Sequence, residues 1–287
     1  MTDLFSPMPR PDRTAFQLHY RDYLRSRDGV PCLESRTLSR RELSYRELDN
    51  APVRRTGEPI VDPVVFQRNL LRCQPEPGLD APTLWALAVA KGNRAERFGV
   101  ENKLRIQGFE PGGAEDLLTY VELQEVYHTK LLLRALEVIG LSCEIGEPVG
   151  RVTRVGVMML ARLPRPIIEV LALAFELVGI AAFHALRREA HALFADQPEA
   201  LARIDALFSE LLVDEVGHVH FLRSRLGPVR LGVSRAALVF AKRSLFNDNH
   251  EIQMLLDRTR ALDGLETLDV DALVADCPHR LPPLRAA

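Results

Sequence analysis

The sequence predicts an all-α chain in which four long helices form two hairpins joined by a long crossover. Three observations carry this. Between residues 80 and 227 apolar positions recur at helical spacing, in stretches bounded by caps, glycines and prolines. Aromatic residues make up only 6% of the chain, and Gly and Pro are not in excess, which weighs against a strand-rich sandwich. With 47% hydrophobic residues and a net charge of −2 over 287 residues, the chain can bury a real core and does not have the composition of a disordered one.

Taken in order, residues 1–79 carry many breakers, among them Pro7, Pro9, Pro11, Pro31, Pro52, Pro59, Pro63, Pro75 and Pro77. Their apolar content is scattered, so they are expected to form an arm packed on the core, with short helices around Ala15–Arg25 and Val64–Cys73. Asp80 with Pro82 opens the first long helix, and the Gly108–Gly113 stretch closes it. Glu115 and Asp116 are expected in the first turn of the second helix, where the helix dipole favours acids, and that helix runs to about Gly140. A crossover of roughly two dozen residues follows, longer than a typical connection, with a short helix near Val155–Arg162. The third long helix spans Pro166 to about Phe194. Asp196 as N-cap and Pro198 open the fourth, which Gly227-Pro228 ends. Residues 80–227 thus form a four-helix unit. Residues 228–287 form a helical extension, with one helix from Ser234 to about Leu245 and another near Glu251–Leu262.

The balance of 37 basic and 39 acidic residues excludes a generic polyanion binder, so no nucleic-acid partner is expected. Arg40-Arg41-Glu42 and Arg54-Arg55 are short clusters of the kind found on solvated surfaces. The four cysteines are dispersed, with no CxxC, so neither a disulfide framework nor a zinc knuckle is expected. Met1–Arg10 lacks the pattern of a signal peptide, and the chain is expected to be cytosolic. Ile167–Leu186 is mostly apolar but contains Glu169, Glu176 and His184, costly in lipid, and so fits a buried core helix better than a membrane span. Near its start, Glu169 is accounted for by the helix dipole.

The residues that carry chemistry lie on the long helices. The second contains Glu125-Val126-Tyr127-His128 and the fourth Glu215-Val216-Gly217-His218. Each is Glu-x-x-His, which puts both side chains on one helix face, able to serve one metal centre. At about 100° per residue, Glu125 and His128 share a face with Leu118, Val121, Leu132 and Ile139, while Lys130, Arg134 and Glu137 lie on an opposite, solvated face. Glu215 and His218 share a face with Ile204, Phe208, Leu211 and Leu222. Ionisable groups on buried stripes are costly unless paired or metal-bound. Glu176 sits in an apolar run of the third helix with no local cation. On the first helix Glu96 and Glu101 compete; Glu96 faces with Trp85, Val89 and Val100, and Glu101 with Arg94, Arg97 and Arg105. Glu96 and Glu125 are about equally far from the first hairpin's turn near Pro111, and Glu176 and Glu215 from the second's near Gln197. Each pair is therefore level within about one helical turn. Glu101 passes nearly as well on level, so its face decides for Glu96.

The order Glu, Glu-x-x-His, Glu, Glu-x-x-His on four long helices resembles the ferritin-like diiron-carboxylate superfamily, over residues 80–227. Within it, the Asp214-Glu215 version of the motif looks like that of the oxygenase and ribonucleotide-reductase branches, and the length and Glu176 look most like bacterial diiron oxygenases, N-oxygenases of arylamines included. The resemblance implies a ferritin-like four-helix bundle with an N-terminal arm and extra C-terminal helices. It implies two iron ions, or manganese or a mixed pair, held by Glu96, Glu125, His128, Glu176, Glu215 and His218, with one or two carboxylates bridging. Asp214 would support a ligand histidine from behind; Gln124 takes that place in the first motif, so only the second carries the feature. His184 is a candidate extra nitrogen ligand, although its face is about 80° from Glu176, which favours a satisfied core histidine. Tyr120 and Tyr127 point away from the ligand face. The implied activity is hydroxylation, N-oxygenation or desaturation of an organic small molecule with dioxygen as co-substrate. No catalytic group beyond the metal ligands is assigned, and no flavin or nicotinamide signature is present, so electrons would come from an external reductase. Two other readings stand beside this one, a ferroxidase or iron-handling ferritin-like protein and a metal-free helical scaffold. The C-terminal helices offer a face suited to a homodimer.

Overall fold

The structure is a computed structural model that describes residues 3–50, 60–107, 116–144, 146, 151–256, 262 and 264–282. It is mostly helical. Four long helices, α4 (Ala81–Gln107), α5 (Leu117–Val138), α7 (Arg165–Leu193) and α8 (Pro198–Arg225), pack side by side. Neighbours run antiparallel: along α4 and α5, Asn93 reaches Thr129, Glu96 reaches His128 and Lys103 reaches Glu122. Arg187 pairs with Asp205 and Glu169 with Arg225 in the same opposed sense along α7 and α8. Trp85 locks α4 to α7 by donating its indole N–H to the Leu186 carbonyl at 2.9 Å, and its ring meets Phe194 edge-on at 5.1 Å. The crossover between α5 and α7 holds α6 (Arg151–Leu160), which packs on α4.

Helix starts follow local chemistry, with two shifts from expectation. Asp116 is the N-cap of α5, accepting from the Leu118 N–H at 3.1 Å, rather than a first-turn residue; Glu115 lies outside the described residues. Gln197, not Asp196, occupies the cap position of α8. Helix α8 ends at Arg225 with Leu226 as its C-cap, and Gly227 and Pro228 cap and open a further helix, α9 (Pro228–Asp248), well before Ser234. Proline lacks the N–H that the first turn leaves unused, so it starts a helix as readily as it stops one.

Helix α9 packs on α7, and α10 (His250–Leu255) packs on α4. There Lys91 and Glu251 form a buried ion pair and Asn249 donates to the Ala88 carbonyl at 3.2 Å. Among the described helices α7 alone is long and apolar enough to cross a membrane, and half of its most apolar window is buried by its neighbours. Glu169 on α7 is held by Arg165 at 3.4 Å and Arg225 at 2.7 Å, so ion pairs rather than the helix dipole account for it.

The N-terminal segment is more ordered than its prolines suggest. Helix α1 (Arg10–Asp28) buries Phe16, Tyr20 and Leu24, four residues apart, in a cluster with Tyr120, Leu123 and Tyr127 of α5 and Phe221 of α8. It ends at Gly29, whose φ of 83° belongs to glycine; a Cβ there would collide with Ser39 Oγ. The chain then reverses through a two-stranded hairpin, β1 (Pro31–Cys32) and β2 (Thr37–Leu38), with Pro31 opposite Leu38. It continues into α2 (Ser39–Asn50), a helix the sequence did not announce. Helix α3 (Pro63–Leu70) is capped by Asp62, whose carboxylate accepts from Val64 N at 2.8 Å. This path carries Asp28 and Arg41 back beneath α5 and α8.

Candidate metal centre

The six side chains singled out in the sequence converge midway along the bundle. Glu96 (α4), Glu125 and His128 (α5) and Glu215 (α8) can each offer one atom to a common point, with those atoms within 4.8 Å of one another. Glu125, Glu176 (α7), Glu215 and His218 (α8) form a second such set. Glu125 and Glu215 belong to both. The i, i+3 spacing on α5 and α8 does the local work, since it turns the glutamate and the histidine of each pair to the same side.

Both imidazoles present Nδ1 to the carboxylates. His128 Nδ1 lies 3.1 Å from Glu96, 3.3 Å from Glu215 and 3.5 Å from Glu125. His218 Nδ1 lies 3.0 Å from Glu125 and 3.9 Å from Glu215. Both histidines are fully buried. Glu96 Oε2, Glu215 Oε2 and His218 Nδ1 are buried atoms without a hydrogen-bond partner. Buried polar atoms are nearly always satisfied, so these three, spread over the two donor sets, mark a place for cations.

Behind the imidazoles lies a second set of contacts. Asp214 Oδ2 meets His128 Nε2 at 3.2 Å. Gln124 Oε1 meets His218 Nε2 at 2.9 Å. Asp214 thus serves the histidine of the other motif, and Gln124 plays the matching part for His218. The expectation that only the second motif carries a supporting residue is corrected: an amide oxygen accepts as a carboxylate does. Asp214 also accepts from Arg27, from Arg41 at 2.7 Å and from Gln124 Nε2 at 3.1 Å.

The electrostatics follow from burial and these contacts. Burial pushes the Glu96 carboxyl up to about 7 and Glu176 well above the usual carboxylate range, and it raises Glu215. Burial acts the same way on Glu125, but His128 and His218 beside it prevail and hold it well below its ordinary value. Asp214 is likewise held down, against burial, by Arg27 and Arg41. Burial opposes charge on His128, yet Glu125 and Asp214 raise its pKa well above the ordinary imidazole value. Without a cation, the cluster shares protons to limit repulsion between four carboxylates; a divalent ion between them removes that need.

Several expectations change. Among the described residues His184 joins neither ligand set; it is half-buried on α7, and burial and then Arg188 and Arg187 lower its pKa. Glu101 is 55% exposed and paired with Arg97 at 2.6 Å, which leaves α4 its one carboxylate at the centre, Glu96. Arg41 is not on a solvated surface but 4% exposed and bound to Asp214 and Glu210; Arg54 and Arg55 lie outside the described residues. Lys130 and Arg134 are covered by α2, through Glu42 and Asp49. Tyr127 and Tyr120 do point outward, to Glu42 and to the Gly29 carbonyl. Arg27, Asp28 and Arg41 were missed because no local pattern marks them; the one available signal was a mixed-charge cluster in a region poor in apolar residues.

Compared with known proteins, the chain matches no family model, no curated protein and no solved structure.

Proposed function

We propose that this chain is a ferritin-like, dinuclear non-haem iron oxygenase acting on an organic small molecule. The observation that carries the reading is the pair of overlapping donor sets, Glu96 with His128 on one side and Glu176 with His218 on the other, sharing Glu125 and Glu215. Four carboxylates and two imidazoles without a thiolate suit iron or manganese. The unpartnered Glu96 Oε2, Glu215 Oε2 and His218 Nδ1 supply the free lone pairs that such ions need. A reduced iron pair bound there would supply dioxygen activation, and with it the oxidising power to hydroxylate, N-oxygenate or desaturate.

The chain's own residues hold and screen the site. Glu96 and His128 would hold one ion and Glu176 and His218 the other, with Glu125 and Glu215, which belong to both sets, serving both. The histidine side is sealed, with both rings fully buried beneath the N-terminal segment, whereas the Glu96 and Glu125 side chains keep 14% and 19% exposure. Small molecules therefore approach from the carboxylate side. An external reductase would deliver electrons, in the cytosol.

The test is elemental analysis and dioxygen uptake after anaerobic loading with ferrous iron. Two irons per chain and dioxygen consumption by the reduced protein are expected, both lost in folded Glu125→Ala and Glu215→Ala variants. A parent that binds no iron or manganese, with those variants equally stable, would remove the oxygenase reading and leave a metal-free scaffold. Assembly into large shells with iron uptake would favour the ferroxidase reading instead.

A further inference from the structure

Both candidate ligand histidines are backed by residues that the N-terminal segment holds in turn. Gln124 has one donor end and one acceptor end. Its Nε2 is committed to two carboxylates, Asp28 at 2.8 Å and Asp214 at 3.1 Å. Only Oε1 remains to face His218 Nε2, and a carbonyl oxygen accepts but never donates. His218 must then carry its hydrogen on Nε2, which leaves Nδ1 bare in the neutral ring, 3.0 Å from Glu125. A bare nitrogen facing a carboxylate is two acceptors in opposition, which a shared proton or a metal ion between them relieves. On the other side Asp214, bonded by Arg27 and Arg41, accepts from His128 Nε2 and leaves that Nδ1 facing Glu96 and Glu215.

We propose that Asp28, acting through Gln124, is a positioning residue for the metal bound by His218 and Glu176, while Arg27 and Arg41, acting through Asp214, position the metal bound by His128 and Glu96. The inference rests on the dinuclear reading above and adds that the two halves are held by different chemistry. A carboxylate between two arginines backs one histidine; an amide whose Nε2 donates to Asp28 and, over a longer distance, to Asp214 backs the other. Asp28 is the last residue of α1 and is fully buried, and no part of the four-helix unit contains it. Without Asp28, Gln124 loses the shorter of the two bonds that fix its amide, and only Asp214, at 3.1 Å, opposes a turn that aims Nε2 at His218. With that turn the ring hydrogen moves to Nδ1 and blocks the metal on that side alone.

The experiment is an anaerobic titration of metal-free full-length protein with Co(II), followed by its visible absorption, with elemental analysis of the product. The parent should bind two ions. Asp28→Leu should retain one ion at the parental affinity and bind the second about 10–100-fold more weakly. Asp28→Asn keeps an acceptor for Gln124 and should restore two. Gln124→Met, which breaks the same link from the other side, should reproduce the loss and stands in if Asp28→Leu does not fold. Arg40→Ala, in the same segment but exposed, with its side chain bonded to the Ser26 carbonyl, should leave both sites unchanged. Two ions at parental affinity in Asp28→Leu or Gln124→Met, or equal weakening of both sites, would overturn the positioning role. A parent that binds no ion would instead overturn the dinuclear reading itself.

Discussion

Gly217 sits between Glu215 and His218 on α8, and its lack of a side chain is what lets α1 come close. A Cβ at this position would lie 2.6 Å from Tyr20 Oη, 2.9 Å from Cε2 and 3.0 Å from Cζ. Tyr20 has nowhere to retreat: it is fully buried, 5.5 Å from the Phe16 ring and 6.1 Å from both Tyr23 and Phe221. Gly217→Ala therefore sets two effects against each other. Alanine in a helix interior is worth about 1 kcal/mol over glycine, and overpacking a tight core costs about 1–3 kcal/mol. The expected net is a loss of up to about 2 kcal/mol, seen in a thermal melt as a fall of about 2–4 °C for each kcal/mol. Tyr20→Phe alone should be nearly neutral, because the buried hydroxyl has no hydrogen-bond partner. It removes the shortest contact, so Gly217→Ala should cost less in the Tyr20→Phe background, with a coupling of at least about 0.5 kcal/mol. A Gly217→Ala protein more stable than its parent, or strict additivity of the two changes, would refute the close-approach argument.

Other outcomes follow from the same contacts. Lys91→Met should cost about 3–5 kcal/mol by denaturant unfolding, because it strands Glu251 in the core without its cation; adding Glu251→Leu should recover most of that. Metal-free protein should lose stability as pH rises from about 4.5 to 7. Over that range the unfolded chain releases the Glu96 proton while the folded one keeps it up to about pH 7, and Glu176 and Glu215 act in the same direction. Melting temperatures of metal-free protein that climb steadily over this range would contradict the raised carboxyls. Arg41→Met should weaken metal binding in protein that circular dichroism shows to be folded, since Arg41 holds Asp214 behind His128.

The candidate ligands were legible because their signal is local and repeated. Glu125 with His128 and Glu215 with His218 share faces by spacing alone, and equal distance from a turn brings Glu96 level with Glu125 and Glu176 level with Glu215. Glu96 was separable from Glu101 because the latter stands among arginines. What surrounds the ligands was not legible. Arg27 and Arg41 meet Asp214 across 187 and 173 residues of chain, and a mixed-charge run such as Arg40-Arg41-Glu42 looks the same whether water or a buried aspartate faces it. The prolines of residues 1–79 disguised α1 and α2 for a related reason: Pro9 and Pro11 punctuate a helix start, where proline belongs, rather than breaking a helix interior. Gln124 was set aside by residue type, although the task at that place is to accept one hydrogen bond from an imidazole, which an amide oxygen does.

The central claim is that the two donor sets hold two metal ions side by side. Anomalous X-ray diffraction from crystals of the iron- or manganese-loaded protein tests it most directly. Two peaks per chain are expected, one between Glu96 and His128 and one between Glu176 and His218, with Glu125 and Glu215 contacting both. No peak at this cluster after loading, or a single ion bound elsewhere on the chain, would contradict it.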